Sequence, residues 1–399
     1  MVGLNPEIEQ LSDQIIAWRR EFHRHPESSL KEYETADRIH TILTDLGIPY
    51  EKVGETGTLG RIEGSKSLVD GQTRAKTIFL RADIDALEIT EATGVDYASE
   101  NPGLMHACGH DAHTAGLLGA AKYLNDHRDL FAGTVLLGFQ QAEEIGAGAK
   151  QFVQSGLLKD VDQCFGIHVD PFLEYGKLIA SPGSLNASCD IFTIEVEGKS
   201  CHVAAPDNGI DALVAGANIV TELQNIVARQ VSPKDSVVVG IGRFNSGTRY
   251  NIIANHAKIE GTLRTISHES RVKYLERIEA IAQTTASIHG ASITFSNYGA
   301  AAPVINTPAS AERGQAVAAK LVGDDQVIRE FGPLMGADDF ADYLAEIPGL
   351  YGRVGVRSSE ATSYSVHHEK FNLDERALPL ISNFHVEFAL DYLNDTSEE

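Results

Sequence analysis

"KTIFLRADIDA", residues 76–86, decides the architecture. Its apolar run from Ile78 to Leu80 is continuous rather than alternating, and it ends in two aspartates, Asp83 and Asp85. A strand that is apolar on both faces is buried on both faces, the condition of a parallel sheet covered by helices. Two further stretches repeat the pattern: "GTVLLGFQQAEE" (133–144) ends in Glu143 and Glu144, and "QCFGIHVD" (163–170) delivers His168. Helical spacing surrounds them in "IEQLSDQIIAWRREFHRHPE" (8–27), ended at Pro26, and in "YETADRIHTILTDLG" (33–47), stopped at Gly47. Further helices are expected from about 111 to 125 and around "GAKQFVQSG" (148–156). Strands alternating with helices predict an α/β domain with a central, mostly parallel sheet.

From about residue 187 the pattern changes. "IFTIEVEGK" (191–199) reads as a strand, 209–230 as a helix, "SVVVGIGRF" (236–244) and "HAKIEGTLRT" (256–265) as strands, 267–290 as a helix and "ASITFSN" (291–297) as a strand. That β-α-β-β-α-β order is ferredoxin-like. "TPASAERGQAVAAKLVG" (307–323) then resumes the α/β pattern. The expected organisation is a discontinuous catalytic domain, 1–186 and 298–399, carrying an inserted domain at 187–297. Only the tail "NDTSEE" reads as disordered.

The 399 residues carry 33 Lys plus Arg against 56 Asp plus Glu, a formal charge of −23. Such a surface repels nucleic acid and anionic membrane, and neither is expected as a partner. No basic region followed by an apolar core opens the chain, so no signal peptide is read. The four cysteines, Cys108, Cys164, Cys189 and Cys201, are too few and too scattered for a disulfide framework. That suits a reducing cytoplasm.

The polar residues that interrupt the apolar strands all lie at their carboxyl ends, where open α/β sheets bind ligands. "MHACGHDAHTA" (105–115) adds Cys108 and His110 around a glycine that lets the backbone turn tightly. Thiolate and imidazole both suit zinc, and imidazole also suits manganese or nickel. For Cys108 alone, a buried inert thiol is the ordinary reading; convergence with the strand-end residues raises a metal site above it. His113 reads as a helix-start residue, and His106 has no assigned role. Adjacent side chains such as Glu143 and Glu144 diverge, so one can bind metal while the other faces a water acidified by it.

Ten stretches, in order from about residue 18 to about residue 376, resemble one family. They are "WRREFHRHPE", "ETA", "RADIDAL", "MHACGHDAHTA", "QQAEEIGAGA", "GIHVDP", "GKSCHVAAPDNGIDA", "RYNIIANHAKIEGTLRT", "LMGADDFADYL" and "VHHEKFNLDE". The family is that of the dimetal amidohydrolases, which includes hippurate hydrolase, N-acyl-amino-acid amidohydrolases and indole-acetyl-amino-acid hydrolases, a branch of the aminoacylase and carboxypeptidase G-type peptidases. The resemblance implies two divalent ions per chain, zinc or manganese, with nickel and cobalt also fitting. Their ligands would be Cys108, His110, Glu144, His168 and His367, the last chosen over His368 because the family's ligand lies four residues before Phe371. Glu143 would be the general base and Asp85 a support behind the ligands. His202 would steady the oxyanion, and Asn251 and Arg264 would hold the substrate carboxylate. The insert would be the lid through which a homodimer forms.

Departures cluster on that insert and its surroundings: Ser200 and Cys201 replace glycines before His202, Asp207 a histidine and Ala254 a proline. Asp338 shortens an acid and Glu369 replaces a proline. None removes an expected ligand or the base. The expected activity is metal-dependent hydrolysis of N-acyl (acetyl, benzoyl or similar) amino acids. Carboxypeptidase or dipeptidase action is the alternative, and a non-catalytic small-molecule-binding protein the rival from another class. A thiol redox protein is disfavoured by the lack of a C-x-x-C pair.

Overall fold

The computed structural model describes residues 2–68 and 74–396, which fall into two compact units. The larger comprises Met1–Gly183, Ile305–Gly332 and Asp339–Glu399; the smaller comprises Ser184–Val304 and Pro333–Asp338. The short return at 333–338 has no counterpart in the insert read from sequence. Of the tail read as disordered, 397–399 lie outside the described residues, whereas Asn394 is tied down by Lys66 and by the Leu130 carbonyl.

The larger unit is built on an eight-stranded sheet. Its order is Tyr50–Val53, Gly57–Glu63, Thr134–Gln140, Thr77–Asp83, Gln163–Glu174, Gly349–Arg357, Leu178–Ile179 and Val327–Ile328. The four strands from Thr134–Gln140 to Gly349–Arg357 are mutually parallel, and antiparallel pairings flank them on either side. Every residue of Thr134–Gln140 is buried, as its unbroken apolar sequence requires. The hairpin Tyr50–Glu63 and the strand Gly349–Arg357 are elements that the sequence reading passes over.

The helix His110–Asp126 lies in the core of this unit, and from Ala115 to Ala121 its sequence is small or apolar on all sides, as a buried helix demands. Gly116 and Gly119 let the helix Ala377–Leu393 approach closely. A Cβ at Gly116 would meet Ile381 at 2.4 Å, and one at Gly119 would meet Ser382 Oγ at 2.3 Å. The first helix of the sequence reading is two, Pro6–Gln10 and Ser12–Arg24, the second ending two residues before Pro26 because proline disfavours helix in the residue preceding it.

The smaller unit has four antiparallel strands in the order Ser292–Ala301, Cys189–Glu197, His256–Thr265, Val237–Ser246, with helices Ala212–Asn225 and His268–Ile288 packed against it. This is the ferredoxin-like arrangement. Period-two alternation sends Phe192, Ile194 and Val196 into its core while Ile191 and Glu197 face out. Asp211 and Ser267 cap the two helices with side-chain oxygens.

Candidate metal centre

Three parallel strands, Thr134–Gln140, Thr77–Asp83 and Gln163–Glu174, deliver their carboxyl-terminal residues to one place, as open α/β sheets do. The helix His110–Asp126 begins there, preceded by Gly109 at φ 88°. A Cβ at Gly109 would stand 2.5 Å from Val169 Cγ2, so both the backbone angle and the space require glycine. The turn sets Cys108 and His110 side by side. Cys108 Sγ lies 3.4 Å from His168 Nε2, and Cys108, His110 and His168 offer donor atoms all within 4.8 Å of one another.

Hydrogen bonds fix which nitrogen each imidazole presents. His110 Nδ1–H donates to the Asp85 carbonyl at 2.9 Å and to Asp85 Oδ1 at 3.1 Å. Its Nε2 is buried and makes no hydrogen bond of good geometry among the described residues, and it faces Asp83 Oδ2 at 3.5 Å, Glu144 Oε1 at 3.9 Å and Glu143 Oε2 at 4.0 Å. His168 Nδ1–H donates to the Val169 carbonyl at 2.6 Å, leaving its Nε2 lone pair towards Cys108. A bare lone pair ringed by carboxylate oxygens is unfavourable unless a positive charge sits among them. Burial works against charging His110, yet Asp83 and Cys108 still hold its pKa well above the usual histidine range. Burial and the Glu144 carboxylate push the Cys108 thiol up, so a thiolate here needs a cation beside it. The donor set therefore fits a divalent metal.

Ala142, at φ 53°, turns the chain sharply after the strand Thr134–Gln140, and the turn is closed by Gly146 N–H to the Glu143 carbonyl at 2.8 Å. Glu144 Oε1 lies 3.5 Å from His367 Nε2, and Cys108, Glu144 and His367 form a further group of possible ligands. His367 is itself left-handed, at φ 65°, and its N–H donates to the Ala107 carbonyl at 2.8 Å. His368 turns away: its ring packs on Tyr364 and its Nδ1 accepts from Lys370 N–H.

Behind the ligands lies a second layer. Asp85 Oδ2 accepts from Ser29 Oγ at 2.7 Å and from Glu144 N–H at 3.1 Å. Asp83 is fully buried; despite that, Arg81 and His110 hold its carboxyl well below the usual range. His113, read as a helix-start residue, donates through Nδ1 to Asp83 Oδ1 at 2.6 Å and accepts Val169 N–H at Nε2 at 3.0 Å. Its place three residues after His110, one helical turn along, is the signal that links it to the site. Asp111 is paired with Arg19 at 2.8 Å and with His23 at 2.7 Å, all three buried. These long-range partners are the residues that motif reading misses.

The structure thus gathers Cys108, His110, Glu143, Glu144, His168 and His367, with Asp85 behind them. His202, Asn251 and Arg264 belong to the smaller unit. There His202 is exposed and bridged to Ile252, Asn251 Oδ1 is buried without a hydrogen-bond partner, and Arg264 is half-buried on the strand His256–Thr265.

Residues 79–391 match the model of peptidase family M20/M25/M40. N-acetyl-L-cysteine deacetylase of Bacillus subtilis is 37% identical over 395 residues, covering 98% of this chain and 91% of that protein. Thermostable carboxypeptidase 2 of Saccharolobus solfataricus is 35% identical over 397 residues, covering 98% of each. A Bacillus subtilis crystal structure described as a dinuclear metal-binding peptidase of the M20 family superposes with a TM-score of 0.84 at 35% identity, covering 96% of this chain and 99% of that one. The chain belongs to the M20/M25/M40 peptidase family and is a metal-dependent amide hydrolase.

Proposed function

We propose that the protein cleaves N-acyl amino acids to a carboxylic acid and a free amino acid, with two divalent ions held by Cys108, His110, Glu144, His168 and His367. The observation that carries this reading is the convergence of these donors, with His110 and His168 each fixed to present Nε2. Divalent ions bound there supply Lewis acidity to the amide carbonyl and lower the pKa of water. Glu143, the acid next to ligand Glu144, takes the proton from the attacking water and returns it to the leaving nitrogen. Asp85 keeps the His110 ring oriented. The roles assigned to His202, Arg264 and Asn251 are donation to the developing oxyanion for the first and binding of the substrate carboxylate for the other two. Arg264 suits that group through its paired donors, and Asn251 through its amide N–H donors.

Zinc suits the thiolate and imidazole ligands, and manganese, nickel or cobalt the imidazole and carboxylate set. A homodimer through the smaller unit is supported by its edge strand Val237–Ser246, which among the described residues pairs on one side, and by exposed Val238, Phe244, Leu213, Val214 and Tyr250. Four free cysteines suit a reducing cytoplasm.

The test is amine release from a panel of N-acyl amino acids and dipeptides, with manganese or zinc, with and without chelator. Release that needs metal and falls about 10²–10⁴-fold in Glu143→Gln is the expected result. Preference for the dipeptides would favour the carboxypeptidase or dipeptidase reading that the Saccharolobus relative suggests. Metal-independent release, or none from any compound, would sink the proposal.

A further inference from the structure

Besides His367, two non-glycine residues among those described adopt left-handed backbone: Leu30 at φ 63° and Ala142 at φ 53°. This conformation is unfavourable for any residue with a Cβ and persists only where surroundings enforce it. Both N–H groups donate to the same atom, Glu32 Oε1, each at 2.9 Å. Glu32 is fully buried, and its other oxygen accepts from Thr56 Oγ1 at 2.7 Å. Ala142 is fully buried as well, and its carbonyl closes the turn by accepting Ala147 N–H at 3.1 Å. Glu143 and Glu144 follow directly. The same segment reaches them a second way, since Ser29 Oγ and Glu144 N–H share Asp85 Oδ2.

We propose that Glu32 is a positioning residue for Glu143 and Glu144, its carboxylate bonding the Ala142 N–H and so holding the left-handed turn that aims both acids. Without that acceptor the Ala142 N–H would be buried with no partner, and the peptide would relax towards extended backbone, swinging both side chains. The inference rests on the hydrolase reading above for the roles of the two acids.

Glu32→Ala, Glu32→Gln and Ala142→Gly, alone and combined, test it with N-acetyl-L-cysteine as substrate and manganese as the titrated ion. Glu32→Ala is expected to lower kcat about tenfold or more with KM changed less than about threefold, because it misplaces reacting groups rather than removing substrate contacts. Manganese affinity of the chelator-stripped protein should fall in parallel. Glu32→Gln keeps an acceptor oxygen for both N–H groups and should stay within about threefold of the native protein. Adding Ala142→Gly to Glu32→Ala should recover most of both losses, because glycine holds the left-handed turn unaided. Should Glu32→Ala fail to fold, Glu32→Asp, one methylene shorter, replaces it in the same cycle. Native kcat and metal affinity in the Ala or Asp variant, an equal loss in Glu32→Gln, or no recovery with Ala142→Gly would each overturn the assignment. If the native protein hydrolyses nothing, the hydrolase reading fails, and the manganese titrations still decide whether Glu32 braces the turn.

Discussion

The strand Thr134–Gln140 of the larger unit and the strand Cys189–Glu197 of the smaller differ in how they treat polar residues. The first is buried along its whole length, and its charged residues come only after it ends. The second alternates, so Thr193 and Glu195 lie along its open face between Phe192, Ile194 and Val196. In a doubly covered sheet a polar group must find a buried partner or move to the end of the strand. In a half-open sheet it can face water anywhere. Buried charged residues of the larger unit such as Arg19, Arg81 and Asp83 are therefore committed to partners, whereas polar residues on the open face of the smaller are replaceable.

Arg19→Met tests that commitment most severely. It leaves Asp111 buried without its guanidinium, a loss of about 3–5 kcal/mol expected in urea unfolding. A loss under about 1 kcal/mol would break the contrast between the units. An intermediate effect comes from His385, buried in the helix Ala377–Leu393, where burial pushes its pKa from 6.5 down to about 3. The folded protein keeps this ring neutral, so as pH falls below 6.5 the unfolded chain gains a proton that the folded one refuses. Stability should drop by about 1.6 kcal/mol between pH 6.5 and pH 5 from this group. Urea midpoints measured across that range should show a shallower acid limb in His385→Leu. The smallest effect belongs to Lys258→Ala on the open face of the smaller unit, where the pairing with Glu260 at 3.1 Å is partly exposed. A change within about 0.5 kcal/mol is expected by the same unfolding measurement; a larger one would mean that the open face carries hidden structure.

The contrast also explains what sequence made legible. Cys108, His110, Glu143, Glu144 and His168 stood out because polar residues capping apolar strands, or clustered beside a glycine, are costly without a purpose. The βαββαβ order of the smaller unit was readable because its strands alternate cleanly. The hairpin Tyr50–Glu63 was not: its first strand has four residues and its second opens on Gly57 and contains Gly60, so neither periodicity develops. The choice of His367 over His368 rested on family spacing, because adjacent histidines carry no internal signal for which one turns inward. Arg19 and Glu32 were illegible for another reason. Their partners, Asp111 and Ala142, lie 92 and 110 residues further along the chain, and in Ala142 the partner is a backbone N–H with no side-chain signature.

The peptide groups of Val169 show where such information resides. Its N–H occupies one nitrogen of His113 and its carbonyl holds one nitrogen of His168, so a single residue's main chain sets the tautomers of two imidazoles. No substitution at position 169 other than proline, which lacks the N–H, removes these groups while the backbone path is kept. Mutational scans score positions by their side chains and would assign Val169 only its packing against Gly109. Part of what makes this centre ready for a cation is thus inherited through the path of the chain, beyond the reach of ordinary single-residue variation.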